Sequence, residues 1–451
     1  MTVGTIDTVV VFAAIGVNVA LALRPLSFTA RKRPVTIGIV VSAPATLALL
    51  YALGALNAET IWRGLAGTGS LVPAEIIAIF FGTAYVSVST DNTGVFDMLA
   101  YRIVRSARGN GHRLFLLFYL FSSVLTLFTS NDIVILTLTP IIFYLGRHAD
   151  IDVVPYLYAE FFAANTTSML LYIGNPTNII IGNALKLGFW QFSAIMWLPT
   201  LVASVATYAF LLLLFRNRIP HAYTVNQASA YYMRSSADAG TSVALLLVML
   251  LMLSFSGVLH LAIWEITTAC AIGQIGRDLL FDRIEKRGNA AARAAAVARK
   301  IPWTILPFII LFFILVQRLT ETGFVDAVAA FCSRFTSPLL AAVSFGFSSL
   351  LAANLMNNQP MSILYAHILT SDHLALTGAT ATVAAYAVVI ASNLGANLTV
   401  VGALAGMMWK RILAQKSIRI GFADFLRIGA AITPAVAALS FLALLLTTGR
   451  Q

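Results

Sequence analysis

The sequence predicts an all-α integral membrane protein. It reads as two inverted repeats of five transmembrane helices, each with a re-entrant helical hairpin and one broken helix. Three observations carry that reading. The first is composition: of 451 residues, 59% are hydrophobic and only 10% charged, where soluble domains carry about 25% charged residues. The second is a pair of pairs. Ser130-Asn131-Asp132 is matched by Asn357-Asn358-Gln359-Pro360, and Gly174-Asn175-Pro176-Thr177-Asn178 by Ser392-Asn393-Leu394-Gly395-Ala396-Asn397. Asn131 and Asn357 stand 226 positions apart, Gly174 and Gly395 221, so a unit has been duplicated. Matched Gly/Pro/Asn interruptions of this kind point to the site of a secondary transporter. The third is charge. With the amino terminus outside, 24 of the 29 Lys and Arg residues fall in inside loops and 5 outside, a strong positive-inside bias.

A crossing helix needs about 20 apolar residues. Uninterrupted stretches of that kind lie at about 7–23, 35–54, 73–90, 189–215, 241–257, 259–276, 302–317 and 427–447. Two more are broken: about 153–185, at Gly174–Asn178, and about 377–408, at Leu394–Asn397. The stretches at about 114–146 and 337–370 are split near the middle by a polar tip. Their arms, about fifteen residues each, read as hairpins that enter and leave on one side. Such backbone is tolerated at membrane depth only where protein or a watery cavity surrounds it. Residues 1–215 form the first repeat and 216–451 the second. Five spans per half is an odd number, so the second is inverted, and both termini lie outside. The basic, alanine-rich segment 277–300 is then a cytoplasmic linker, and Tyr101–Arg108 an amphipathic stretch along the membrane surface.

Composition also excludes. The net charge of +11 sits in short runs between apolar stretches, which is orientation signal and not a nucleic-acid surface. Two cysteines, Cys270 and Cys332, make neither a disulfide framework nor a zinc site, and they read as packing residues. No metal or cofactor is expected. No Gly-rich phosphate loop is present, so the chain has no ATPase of its own. The start carries Asp7 and no basic run, unlike a cleaved signal peptide.

Each break leaves backbone groups unpaired in a water-poor setting, and Asn, Ser, Thr and Asp supply partners and caps. Asp132 and Asn358 fall where a second hairpin arm begins. Pro176 and Pro360 fit the first turn of a half-helix, where no amide donor is needed. The expected substrate-binding set is Ser130, Asn131, Gly174, Asn175, Thr177, Asn178, Asn357, Asn358, Asn393, Gly395, Asn397 and Thr399. Asp132 is the only acid inside the strings, and an ionisable group in a membrane core is a functional candidate. It is expected to couple transport to protons, with Glu160 and then Glu265 as the other candidates. Gly402 and Gly406 mark close packing.

The strings TSNDIVILTLTP (129–140), ANTTSMLLYIGNPTNIIIG (164–182), NLMNNQP (354–360) and SNLGANLTVVGAL (392–404) resemble the arsenite/antimonite efflux permeases of the ion transporter superfamily. The likeness runs over nearly the whole chain in order and spacing. It implies a multi-pass protein of the cell inner membrane that exports trivalent arsenic or antimony in exchange for protons. A hairpin-bearing transport unit would move against a scaffold. A soluble ATPase subunit and a second copy of the chain are the protein partners it allows for. Sodium/proton antiporters and organic-anion carriers share the architecture and stay open as alternatives. No Lys or Arg lies in the four strings, which favours a neutral hydroxide over a di- or tricarboxylate.

Overall fold

The computed structural model describes residues 3–23, 25–30, 33–67, 72–149, 151–224, 235–284, 292–301, 303, 305–416, 418 and 420–449. The chain begins with α1 (Val3–Leu23), a two-stranded antiparallel ribbon of β1 (Leu26–Ala30) and β2 (Arg33–Ile37), α2 (Ile39–Ala52) and α3 (Ala58–Ala66). The expected span at 35–54 is thus shortened. The ribbon takes its start, and α2 is 14 residues long, too short to cross upright.

Next come α4 (Pro73–Asn92), α5 (Val95–Ser106), the hairpin of α6 (Gly111–Phe128) and α7 (Asn131–Ala149), then α8 (Val154–Thr167), α9 (Pro176–Ala184) and α10 (Phe189–Phe215). After α11 (Ser236–Ser254), a single turn α12 (Ser256–Leu259), α13 (Ile263–Ile284) and α14 (Ala292–Lys300), a like succession follows. It consists of α15 (Ile305–Glu321), α16 (Phe324–Cys332), α17 (Pro338–Met356), α18 (Asn358–Leu369), α19 (Gly378–Leu394), α20 (Leu404–Gln415) and α21 (Phe422–Thr448). Local chemistry starts these helices where they start. Pro stands in the first turn of α4, α8, α9 and α17, where its missing N–H costs nothing. Asn110, Ser235 and Ser337 accept from the amides of Arg113, Asp238 and Leu340, which caps α6, α11 and α17.

Among the described residues, seven helices are long and apolar enough to cross a membrane, or eight if the bent pair α15–α16 is one span. The expectation was ten spans and two hairpins. Gly323, with φ 78°, turns the chain between α15 and α16, which meet at 74°. The sequence reading took 302–317 as a plain span and did not see α16. The hairpin arms also differ from expectation. α6 has 18 residues, α7 19 and α17 19, while α18 has only 12. By length and composition α6 and α17 could cross. α13 lies further along than the expected 259–276 and carries Arg277, Asp278, Asp282 and Arg283.

Those charges are not loop charges. Arg277 is ion-paired with Asp238 of α11 and with Asp278, 2.7 Å away. Arg293 of α14 meets Asp238 at 2.8 Å and Asp282 at 3.0 Å. On α4, Tyr85 and Ser89 donate to Asp278 at 3.0 and 2.8 Å. All five charged residues are buried, so α14 is fastened to α4, α11 and α13. Residues 285–291, the middle of the expected linker, lie outside the described residues.

The most buried elements are the interrupted ones. Every residue from Pro155 to Thr167 of α8 is buried, as are Val383–Leu394 of α19. α8 packs on α6 and α10, α19 on α17 and α21, and α9 on α18. The broken helices therefore lie at the centre, wrapped by long apolar helices.

Candidate functional site

The first hairpin tip is built by backbone and hydroxyl bonds. α6 ends at Phe128, and Thr129 Oγ1 folds back to donate to Leu125 O at 2.8 Å. α7 begins at Asn131, whose amide donates to Gly174 O at 3.4 Å. That bond ties the tip to the first break. The break runs from Ser168 to Asn175, longer than the Gly174–Asn178 interruption read from sequence. Asn178 closes it by donating to Ser168 O at 2.8 Å and Leu171 O at 2.9 Å. Asn175 caps α9 by accepting from Thr177 N. Gly174 does not need a positive φ. It is required because a Cβ there would meet Ser168 O at 2.3 Å.

The second tip is tied in the same manner. Asn358 N donates to Gly402 O at 2.9 Å, and its side chain to Ser392 O at 3.1 Å. Asn357 takes φ 74° between α17 and α18 and donates to Val401 O at 3.1 Å. The positive-φ residue is therefore Asn357, at φ 74° and ψ 152°, a strained conformation populated almost only by glycine; Gly395 is in ordinary helical geometry at φ −57°. The break covers a single 3-10 turn, Gly395–Asn397, and continues to Ala403. Asn354 donates to Gly395 O and accepts from Thr399 Oγ1 at 2.6 Å. Gly402 and Gly406 are close-approach positions, since a Cβ would lie 2.5 Å from Gly395 O and from Val400 O.

A chain of amides joins the two breaks. Asn131 donates to Asn165 at 2.9 Å, Asn165 to Asn397 at 3.1 Å, and Asn397 to Thr166 at 3.2 Å. Asn393 is a second junction. Its oxygen accepts from Ser168 at 2.7 Å and Asn175 at 2.9 Å, while its amide donates to Asn178 at 2.7 Å. Ser392 donates to Thr177 at 3.0 Å. The structure thus brings together most of the expected residues, and it shows them bonded largely to one another. The oxygens of Asn131 and Gln359 are exceptions, buried with no hydrogen-bond partner among the described residues.

Open space lies to one side of this lattice. A narrow cleft of about 20 Å³ is lined by Ser130, Asp132, Thr129, Thr83, Ser87 and Lys300, with apolar walls. That is room for about one water. Asp132 is buried to 6% exposure, and among the described residues nothing donates a hydrogen bond to its carboxylate. Glu160 is elsewhere, fully buried and held by Thr139 at 2.9 and 3.1 Å. It also meets Trp409, in an aromatic cluster with Tyr158, Phe161 and Phe425. Glu265 accepts from Ala262 N at the exposed start of α13, so it is a helix cap and not part of the core. Cys270 and Cys332 lie on α13 and α16, with neither in the cleft.

The mouth of the cleft carries charges. Asp91 Oδ2 takes Lys300 Nζ at 3.0 Å, and its Oδ1 takes Thr137 Oγ1 at 3.0 Å. On the short amphipathic α5, burial and the facing Asp91 push the Asp97 carboxyl above its ordinary range, with Lys300 opposing. The sequence reading found no cation in the four strings, yet the fold delivers Lys300 from another segment. It also passed over Asn165, Asn354, Thr83 and Ser87. Thr83 and Ser87 were findable, being one turn apart on an apolar helix and therefore on one face. Asn165 and Asn354 lie inside the quoted strings, but their partners are far away in sequence.

Comparison with known proteins places this architecture. The model of a family described as CitMHS, citrate transporter, matches residues 19–385. The chain is 28% identical over 365 residues to an arsenical pump membrane protein of Yersinia enterocolitica, covering 79% of this chain and 82% of that one. It is 28% identical to one of Escherichia coli K12, with the same coverage, and 24% identical to a putative arsenical pump membrane protein of Bacillus subtilis, covering 88% and 92%. In fold it resembles the YdaH transporter of Alcanivorax borkumensis, with TM-score 0.56, 12% identity, and 99% and 98% of the two chains covered. The same holds for MtrF of Neisseria gonorrhoeae, with TM-score 0.53, 11% identity, and 99% and 94% covered. The family match spans most of the length, and the chain accordingly belongs to the CitMHS citrate-transporter family, as a multi-pass membrane transporter of small solutes and not an enzyme.

Proposed function

We propose that the protein exports trivalent arsenic and antimony as neutral hydroxides in exchange for protons. The observation that carries this reading is Asp132: a buried acid that accepts no hydrogen bond among the described residues, facing a cleft whose polar lining includes the hydroxyls of Thr83, Ser87, Thr129 and Ser130. A neutral hydroxide needs hydrogen-bond partners and no compensating cation, and the acid is free to carry the proton. The names of the relatives, arsenical pump membrane proteins, support the substrate. Ser130, Thr83 and Ser87 would contact it, and Asn131, bonded to Asn165, would belong to the frame. Gly174, Asn175, Thr177, Asn178, Asn357, Asn358, Asn393, Gly395, Asn397 and Thr399 would hold the frame. Residues 1–215 and 216–451 would be inverted repeats, with both termini outside the inner membrane. The two hairpins and broken helices would move as a unit against the remaining helices.

An organic-anion carrier is the second reading. The family description names citrate, and Lys300 lines the cleft. The lysine is already paired with Asp91, which leaves little charge for a polycarboxylate.

The test is uptake of trivalent arsenic into everted vesicles, with and without an imposed pH gradient, and with citrate as the rival substrate. Gradient-dependent, saturable arsenic uptake is expected. Citrate uptake without arsenic uptake would replace the first reading by the second.

A further inference from the structure

We infer that Asp91 is a positioning residue that latches the first hairpin against the fixed wall of the cleft, and that this latch must release for the cleft to open. The inference rests on the proposed division into a moving unit and a scaffold. It adds the place where the two touch.

Asp91 sits one residue from the end of α4 and offers its two oxygens to two different bodies. Oδ2 holds Lys300, the last residue of α14, at 3.0 Å. Oδ1 receives the hydroxyl of Thr137, on the second arm of the hairpin, at 3.0 Å. α14 cannot follow the hairpin. Arg293 fastens it to Asp282 and Asp238, and Asp278 is held in turn by Tyr85 and Ser89 of α4. α4, α13 and α14 therefore form one body through buried ion pairs. Losing a partner from such a set leaves an uncompensated charge, which is strongly unfavourable. The link to Thr137 is a single hydrogen bond between a hydroxyl and the carboxylate of an ion pair whose lysine is half exposed. It is the weak element at this junction, and weak elements are where motion is drawn from.

Location gives the latch its consequence. Lys300 lines the same cleft as Asp132, and α7 carries Asp132 near its start and Thr137 less than two turns later. Tilting α7 away from Asp91 would widen the cleft at the lysine and carry Asp132 with it. The cleft as it stands, about 20 Å³, is too small for a solute larger than water. Ser87 reports on the opening well, being almost fully buried on the cleft wall and on α4 rather than on the hairpin.

The experiment places Ser87→Cys in the full-length protein carrying Cys270→Ser and Cys332→Ser. It measures the rate of labelling by a membrane-impermeant thiol reagent, applied to each face of the vesicle in turn. Thr137→Val keeps the shape and deletes only the donor. It should speed labelling about fivefold or more, as should Asp91→Asn and Lys300→Met. Asp91→Glu, which keeps the charge, should stay near the parent rate. A purely structural role for Asp91 predicts no such rescue pattern and no effect of Thr137→Val. Rates within twofold of the parent for both Thr137→Val and Asp91→Asn would overturn the latch. Labelling needs neither substrate nor gradient, so a failed arsenic-uptake assay would count against the proposed function and leave this result standing.

Discussion

The two hairpin tips hold matching places in their halves and carry different chemistry. At the first, the second residue of α7 is Asp132, an acid facing open space. At the second, the same place in α18 is Gln359, a neutral amide buried to 3% exposure. The broken helices differ likewise. α8 holds Glu160, whereas neither α18 nor α19 contains an acid. The second half instead supplies Asn354, Asn393 and Asn397, whose amides bind the breaks together. Both tips are tied to a break by a backbone hydrogen bond, Asn131 N to Gly174 O and Asn358 N to Gly402 O, but an acid follows at the first and an amide at the second. A charge in a membrane core is costly, and of the two tips only the first bears it.

The largest expected effect breaks this comparison directly. Asp132→Asn keeps size and hydrogen bonding but cannot titrate, and gradient-driven accumulation should fall to background while the protein still inserts. Adding Gln359→Glu to that variant moves the acid to the other tip. If accumulation returns, the halves are interchangeable and the contrast is accidental.

A smaller effect is expected at the frame. Asn393→Ala removes one side chain that serves Ser168, Asn175 and Asn178. At about 1–3 kcal/mol for each buried group left unpaired, a loss on the order of 3–5 kcal/mol should appear in thermal unfolding in detergent. Asn358→Ala deletes one side-chain bond, to Ser392 O, and should cost about 1–2 kcal/mol. Equal losses at the two positions would mean that the lattice does not converge on Asn393. The smallest effect belongs to Cys270→Ser with Cys332→Ser. Both thiols lie away from the cleft, and arsenic uptake should stay near normal. Complete loss would point to thiolate capture and away from hydrogen-bond recognition.

Much of this was legible in the sequence, for a physical reason. Asn and Pro in apolar runs are expensive unless the backbone is interrupted there, so the tips at Asn131 and Asn358 and the breaks before Pro176 and after Leu394 announced themselves. What was not legible depends on distance along the chain. Asn165 pairs with Asn397 and Ser168 with Asn393, and no local pattern says that one amide will find another more than two hundred residues away. Lys300 reached the cleft by the same route, from a segment read as a cytoplasmic linker. The stretch Leu26–Ile37 contains Arg31, Lys32 and Arg33, and Gly323 follows the polar run Arg318–Thr322; hydropathy marks both as ends of apolar runs and does not say that one forms a ribbon and the other a turn into a further helix.

The buried ion cluster bears on how the chain is made. Arg277, Asp278 and Asp282 sit within one helix, α13, and each such charge opposes entry of a lone helix into lipid by roughly 2.5–3.5 kcal/mol at its centre. Their ionic partners outside the helix are on α11 and α14, and hydroxyls of α4 donate to Asp278. α13 is thus a poor segment to insert by itself and a good one to insert in company. Biogenesis should hold it at the insertion machinery until α14, synthesised after it, has emerged and supplied Arg293. The order of synthesis then becomes part of the order of assembly.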